Sequence, residues 1–320
     1  MVSPNLSEIV TTTLRQRQKT LADNVTNNNG LLVRLKEKGK IVTVSGGRTL
    51  VEPLAYAENG NYQWYNGYEV LNISPTDMIS AAEYDWKQAS SVVSMSGLEE
   101  LQNNGSEAII DLLNSRIDIT INTIKNNLSE GIYSDGTGSG GKQIGGLQLL
   151  VADDPTTGTV GGIDRSTNTF WRNSFVDYGA VSATTSANVI SRMNSMYNSL
   201  VRGNDVPDLI VADTNYFGFY QDALQSQQRF ASPDSKLAAA GFMVLKYANS
   251  DVILENGSGI STDHMYFLNT DYINLAVHSN RNITPQDSRT PVNQDAMVIP
   301  VLWAGNMRLS NASLQGVIFE

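Results

Sequence analysis

The chain contains no cysteine. That absence excludes disulfides, thiolate metal sites and a cysteine nucleophile together. Histidine is nearly as scarce: only His264 and His278 occur, and neither stands in an HExxH spacing, so imidazole acid–base or zinc chemistry has little to build on. No stretch approaches the ~20 consecutive apolar residues needed to span a bilayer, and the first residues lack the apolar centre of a signal peptide. The expectation is a chain that begins and matures in a cytoplasm, with no membrane partner. A net charge of -10 also argues against a groove that grips nucleic acid, because neutralising phosphates needs clustered Lys and Arg.

What is present is ordinary globular material. Hydrophobic residues make up 41% of 320, enough to bury a substantial core, and the usual domain size of roughly 100–200 residues suggests two domains. Charge is unevenly spread. Arg15, Arg17, Lys19, Arg34, Lys36, Lys38 and Lys40 against Glu8, Asp23 and Glu37 make residues 1–40 net +4, leaving -14 on the remainder. The plainer reading of this segment is a solvated helix face; the sharper one is an arm that touches a partner or another subunit.

Along the chain, polar helical signals around Leu14, Leu21 and Val25 end in an Asn-rich break at Asn27–Gly30, which reads as an arm. From Lys40 the pattern turns to strands, at Ile41–Val44 and Thr49–Val51. Residues 57–68, AENGNYQWYNGY, carry turn formers and aromatics but few aliphatic residues, as a long projecting hairpin would. Tyr62, Trp64, Tyr65 and Tyr68 either pack on their own domain or on a neighbouring chain. A strand-like stretch after Asp77 leads through Trp86 to Met95, and Ser96-Gly97-Leu98-Glu99 has capping-box spacing. Ile110, Leu113, Ile117, Ile121, Ile124 and Leu128 then recur at three and four, predicting one long helix over 106–130 with Gly131 to end it.

Beyond residue 136 the pattern is mixed. Ser186 is placed to cap a helix with Val189, Met193, Met196 and Leu200 on one face, and Gly203 to close it. A buried strand over 207–213, a helix carrying Phe217, Tyr220 and Leu224, and strands near 242–247, 252–255, 265–268 and 272–278 follow. The tail, 297–303 and 308–319, is strand-rich and could return to the first domain. The fold class is α+β.

Two motifs imitate catalytic sites. Gly136–Gln143 fails as a P-loop, because Gln143 stands where Ser or Thr must reach magnesium, and fails as a dinucleotide fingerprint, because it follows a helix instead of a strand. A linker leaving the helix is the reading that remains. Asp153-Asp154 precedes Pro155 in a turn-like loop, where carboxylates satisfy local backbone donors. No nucleophile elbow is present. The sequence therefore offers no candidate catalytic, cofactor-binding or metal-binding residues.

One ordered set of features remains: a hairpin-rich loop, a strand, a long helix, Glu130-Gly131-Ile132-Tyr133-Ser134-Asp135-Gly136-Thr137-Gly138, and Gly145-Gly146-Leu147. This resembles the tailed-bacteriophage major capsid proteins of the Hong Kong 97-like fold, in which a DGTG-like turn and a Gly-Leu pair follow a spine helix. Gly161–Asn173 (GGIDRSTNTFWRN) also resembles a segment of some phage capsid proteins, its plain alternative being a surface loop with a buried Trp. The resemblance implies an N-terminal arm over 1–39 and an extended loop over 40–76. It places a peripheral domain over 77–134 and 291–320, and an axial domain over 135–290. It also implies self-assembly into the hexamers and pentamers of an icosahedral head around double-stranded DNA, enclosed without sequence-specific binding. A separate scaffolding protein, a portal and a decoration protein are the expected further partners, and the virion is the expected location. Tyr62, Trp64, Tyr65, Tyr68, Arg15, Arg17, Lys36 and Lys38 are the candidate subunit-interface residues. The rival readings are an encapsulin-like compartment shell and a hydrolase whose site residues lie far apart in sequence.

Overall fold

The computed structural model describes residues 29–102, 112–226, 243–256 and 259–320. Arg15, Arg17 and the expected first turns of the long helix, including Ile110, lie outside the described residues.

The first elements are helix α1 (Gly30–Glu37), strands β1 (Ile41–Val44), β2 (Leu50–Ala55), β3 (Ile79–Tyr84) and β4 (Lys87–Ser96), and helices α2 (Gly97–Gln102) and α3 (Leu112–Tyr133). The capping box forms as its spacing requires: Ser96 N–H donates to Glu99 Oε2 at 3.1 Å and Glu99 N–H donates to Ser96 Oγ at 3.3 Å. The Arg116 guanidinium and these capping bonds hold the Glu99 carboxyl below its usual range. Helix α3 has 22 residues, about 33 Å at 1.5 Å per residue. It lies along β4, and among the described residues of its predicted apolar face only Ile124 is buried, while Leu113, Ile117, Ile121 and Leu128 are half-buried. Gly131 does not end the helix; it lies inside the last turn, where the Ile144 side chain packs against it.

Next come a short helix α4 (Leu147–Leu150), strands β5 (Thr159–Val160), β6 (Ile163–Asp164) and β7 (Ser174–Asp177), helix α5 (Val189–Leu200), β8 (Leu209–Ala212) and helix α6 (Thr214–Ser226). The residue before α5 is Asn188, not Ser186, and the helix stops at Leu200 before Gly203 is reached. Strands β9 (Val244–Tyr247), β10 (Ser250–Leu254), β11 (His264–Leu268), β12 (Ile273–His278), β13 (Thr284–Pro285), β14 (Ala296–Leu309) and β15 (Gly316–Phe319) complete the described order.

Two larger sheets organise these strands. In the first, the order is β1-β12-β14-β13, with β4 also paired to β14 over 87–96 against 296–305. In the second, the order is β7-β15-β11-β8-β10-β9. Strand β8 explains how they stack. Its residues alternate sides: Leu209 and Val211 enter the core between the sheets, and Ile210 and Ala212 enter a second core under α5 and α6. A strand covered on both faces reads as a continuous apolar run, which is why LIVA looks buried in the sequence. The tail divides between the sheets. Strand β14 returns to β4 in the first region, as expected, whereas β15 joins β7 and β11 in the second sheet.

Candidate assembly surface

The projecting hairpin is built from β2 and β3, paired in register from Leu50↔Tyr84 to Ala55↔Ile79. Strand β1, expected to belong to it, instead pairs in parallel with β12. The hairpin base is fixed by alternation: Leu50, Leu54, Ala82 and Tyr84 point into the core. Arg308 pairs with Glu52 at 3.1 Å, Glu83 N–H donates to Gly161 O at 2.9 Å, and Tyr56 packs on Phe170 with ring centroids 5.5 Å apart.

Past Tyr56 the two limbs carry no ladder. Their residues supply turns instead: Asn59 Oδ1 accepts from Asn61 N–H at 3.0 Å, Asn61 Nδ2 donates to Ser74 O at 2.5 Å, and Gln63 Nε2 donates to Val70 O at 3.2 Å. Side-chain bonds of this kind hold polar limbs together but bury no apolar surface. Tyr62 and Trp64 meet edge to face at 5.9 Å. Nevertheless Trp64 is 89% exposed, Tyr68, Val70 and Ile73 are more exposed still, and Tyr62, Tyr65 and Leu71 are each more than half exposed. Sequence reading named the four aromatics and missed Val70, Leu71 and Ile73; the apolar run after Tyr68 was the available signal. Exposed apolar side chains gathered on one projecting segment make it a candidate interaction surface.

The basic candidates sit elsewhere. Lys38 Nζ pairs with Asp208 at 3.2 Å and Asp271 at 3.1 Å within the chain, while Lys36 is exposed on the outer face of α1. The structure therefore does not bring Lys36 and Lys38 together with the aromatic tip.

The motif segments are joints of the scaffold. Asp135 Oδ1 accepts from Thr137 N–H at 2.9 Å and from Thr137 Oγ1 at 2.8 Å, and these bonds lower its pKa. Gly136, at φ +78°, brings the chain onto Gly145. Gly145 N–H then donates to Asn306 Oδ1 at 3.1 Å, tying the turn to β14. Gly146 lies flush on the end of α3: a Cβ there would stand 2.4 Å from the carbonyl oxygens of Gly131 and Ile132. The glycine-rich run between them is no loose linker but a tight turn folded against the Gln143 side chain.

In the second segment, Arg165 is buried and donates to the carbonyls of Leu149, Leu150 and Trp171. Burial pulls its guanidinium pKa down to about 10. Trp171 is also buried, with Nε1 donating to Val160 O at 2.9 Å. This segment thus knots α4, β5 and the hairpin base.

Asp153 corrects the expectation of a purely local turn. Asp154 does cap its own loop, accepting from Thr156 N–H at 3.0 Å, but Asp153 Oδ2 lies 3.1 Å from His264 Nε2. Burial opposes charge on His264, yet the Asp153 carboxylate and the Thr262 carbonyl outweigh it and raise its pKa. The folded pKa thus exceeds the unfolded value of about 6.5. Stability from this pair is fully present below about pH 6.5 and lost as pH rises through the folded pKa. An NMR titration of His264 is expected to show a midpoint above 6.5 that falls in Asp153→Asn; an unchanged midpoint in that variant would refute the coupling.

Among the described residues, no group of three or more His, Asp or Glu is placed to hold a metal ion, and no helix is long and apolar enough to cross a membrane. Along β4 and α3, Val92, Met95, Arg116, Ile119 and Thr120 line an open groove of 570 Å³.

No protein-family model matches the chain, and no curated protein sequence matches it. Solved structures do. The chain is similar to the subunit in the cyanophage A-1(L) capsid asymmetric unit, at TM-score 0.71 and 15% identity over 96% of each chain. The capsid of a native GTA particle aligns at TM-score 0.63 and 11% identity, over 96% of this chain and 95% of that one. The SrpI encapsulin of Synechococcus elongatus PCC 7942 aligns at TM-score 0.60 and 11% identity, over 98% and 95%. The α+β architecture traced above, with its spine helix and projecting hairpin, is the Hong Kong 97-like capsid fold found in tailed-phage major capsid proteins.

Proposed function

We propose that this chain is the major capsid protein of a tailed phage and works by self-assembly. One observation carries the reading: the hairpin base is built into the core while its tip holds Trp64, Tyr68, Val70 and Ile73 almost wholly in solvent. A single chain gains nothing from that arrangement, whereas copies that cover one another's tips remove the apolar surface from water at roughly 25 cal/mol per Å². Repeated around closed rings, modest contacts add into a stable shell.

On this reading residues 1–39 serve as the arm and the hairpin as the extended loop. Residues 77–134 with 291–320 form most of the peripheral domain, and 135–290 most of the axial domain. The subunits form hexamers and pentamers, assembly takes place in the bacterial host cytoplasm, and the virion is the final location. A net charge of -10 suits a wall that encloses DNA without holding it. Scaffolding, portal and decoration proteins complete the proposed partners, and no catalysis is assigned.

The encapsulin likeness supports a second reading, a shell around protein cargo. Electron microscopy of the expressed chain tests the shared claim: closed particles or capsomers are expected, and a monodisperse monomer at high concentration would overturn it. A gene neighbourhood with portal and terminase favours the phage reading; a cargo enzyme beside it favours the other.

A further inference from the structure

The basic N-terminal segment has a partner inside the fold. Helix α1 is built as about two amphipathic turns with Leu31 and Leu35 buried beneath it and Arg34 and Lys38 on its flank. Arg34 Nε pairs with Asp208 at 3.1 Å and its Nη1 lies 3.6 Å from Asp251. Lys38 bridges Asp208 and Asp271, and Lys40 Nζ donates to Asp271 O at 2.9 Å. The other charges facing this cluster are Glu37, 3.7 Å from Arg34, and Lys246, which pairs with Asp251 from β9. At the start of the helix, Gly30 N–H donates to the buried Glu255 at 3.2 Å, and Tyr133 O–H donates to the same carboxylate oxygen at 3.0 Å. Asn29 closes the end, accepting from Leu32 N–H and donating to Ser129 O.

These contacts share a topology. Asp208 and Asp251 belong to the second sheet region, Asp271 to the link between β11 and β12, and Ser129 and Tyr133 to the end of α3. Yet neither sheet needs the segment for its own ladder. Strand β1 is an edge strand that adds four parallel pairs to β12, which keeps its antiparallel pairing to β14 without it. The second sheet closes with no residue from 29–44 at all. Gly39, at φ +68°, turns the chain from α1 into β1, its N–H donating to Lys36 O at 3.1 Å while Lys40 N–H donates to Leu35 O at 2.7 Å.

We infer that residues 29–44 form a releasable strap, held across the two sheets by a clasp of Arg34 and Lys38 on Asp208, Asp251 and Asp271. The strap opens as a unit while both sheets stay folded. Leu31 and Leu35 set its resting hold, and the charge pairs set how readily it lets go. Arg34, Lys38 and Asp208 retain some exposure, so high salt weakens the clasp in part, though less than it weakens fully exposed pairs. Opening uncovers the outer edge of β12, and any pull on the chain before Asn29 acts on this clasp first.

Hydrogen exchange by mass spectrometry on the full chain tests the strap. In Arg34→Gln/Lys38→Gln, amides of 31–44 are expected to exchange about tenfold faster at low salt, as a local opening does, while β8 and β11 stay as protected as in wild type. Wild-type protein in 1 M NaCl should shift the same peptides in the same direction. Arg202→Gln, which breaks an exposed pair with Asp205 elsewhere, should change none of them. Unchanged exchange in 31–44, or a uniform acceleration across both sheets, overturns the inference, because the segment is then either not clasped by charge or not separable from the core. Should the double variant not fold, Lys38→Gln alone is read by the same criteria.

Discussion

Trp64→Ala/Tyr65→Ala is expected to leave the chain folded and to abolish closed particles. Both side chains stand outside the core, Trp64 at 89% and Tyr65 at 63% exposure, so their removal leaves no cavity in the monomer and changes its stability by no more than about 0.5 kcal/mol. On the proposed reading, every copy in a shell places the same two residues at an interface. Truncating a buried aromatic anchor costs about 2 kcal/mol or more per contact, and a closed particle multiplies that loss by its number of subunits. Sedimentation should therefore move from fast particles to slow capsomers or monomers, while circular dichroism and the melting temperature stay put. Wild-type particle yield from the double variant would sink the proposed role of the hairpin. A misfolded monomer would contradict the exposure of its tip.

The second large effect belongs to the turn after the spine helix. Gly146→Ala puts a methyl group 2.4 Å from two backbone carbonyl oxygens at the end of α3. Backbone in a helix end cannot swing aside as a long side chain can, so the strain spreads into α3 and α4; a cost of about 3 kcal/mol is expected, at the upper end for overpacking. Gly140→Ala is the matched control. Nothing lies within 4 Å of a Cβ there, and the penalty is only that of φ +70°, about 1 kcal/mol. Urea unfolding of the two variants should separate them by about 2 kcal/mol. Equal midpoints would show that the Gly145-Gly146 pair serves flexibility and not close approach.

Local rules were legible in the residues. The reciprocal Ser96–Glu99 cap, the long helix with Ile124 inward, and the doubly buried Leu209–Ala212 strand each follow from interactions within a few positions, which the sequence spells out directly. The projecting loop was legible in part, because 57–68 holds turn formers and aromatics with few aliphatic residues to bury. The position of Gly131 misled for a physical reason: a glycine can end a helix, but it can also let a neighbour pack close, and only Ile144, brought back by the turn, decides between them. Ser186 misled likewise, since several polar residues before Val189 can start the same helix.

Composition and periodicity by themselves determined the α+β class, the absence of thiol chemistry, the spine helix and the segregation of positive charge into the first forty residues. Only the tertiary structure decided that Asp153 faces His264 across 111 positions, that β1 pairs with β12 instead of the hairpin, that β15 leaves β14 for the other sheet, and that Arg34 and Lys38 are clasped inside the chain. Each of these joins residues far apart in sequence. Periodicity reports which face of an element is buried, but not which element will cover it; that choice is made by the chain as a whole when it collapses around one shared core.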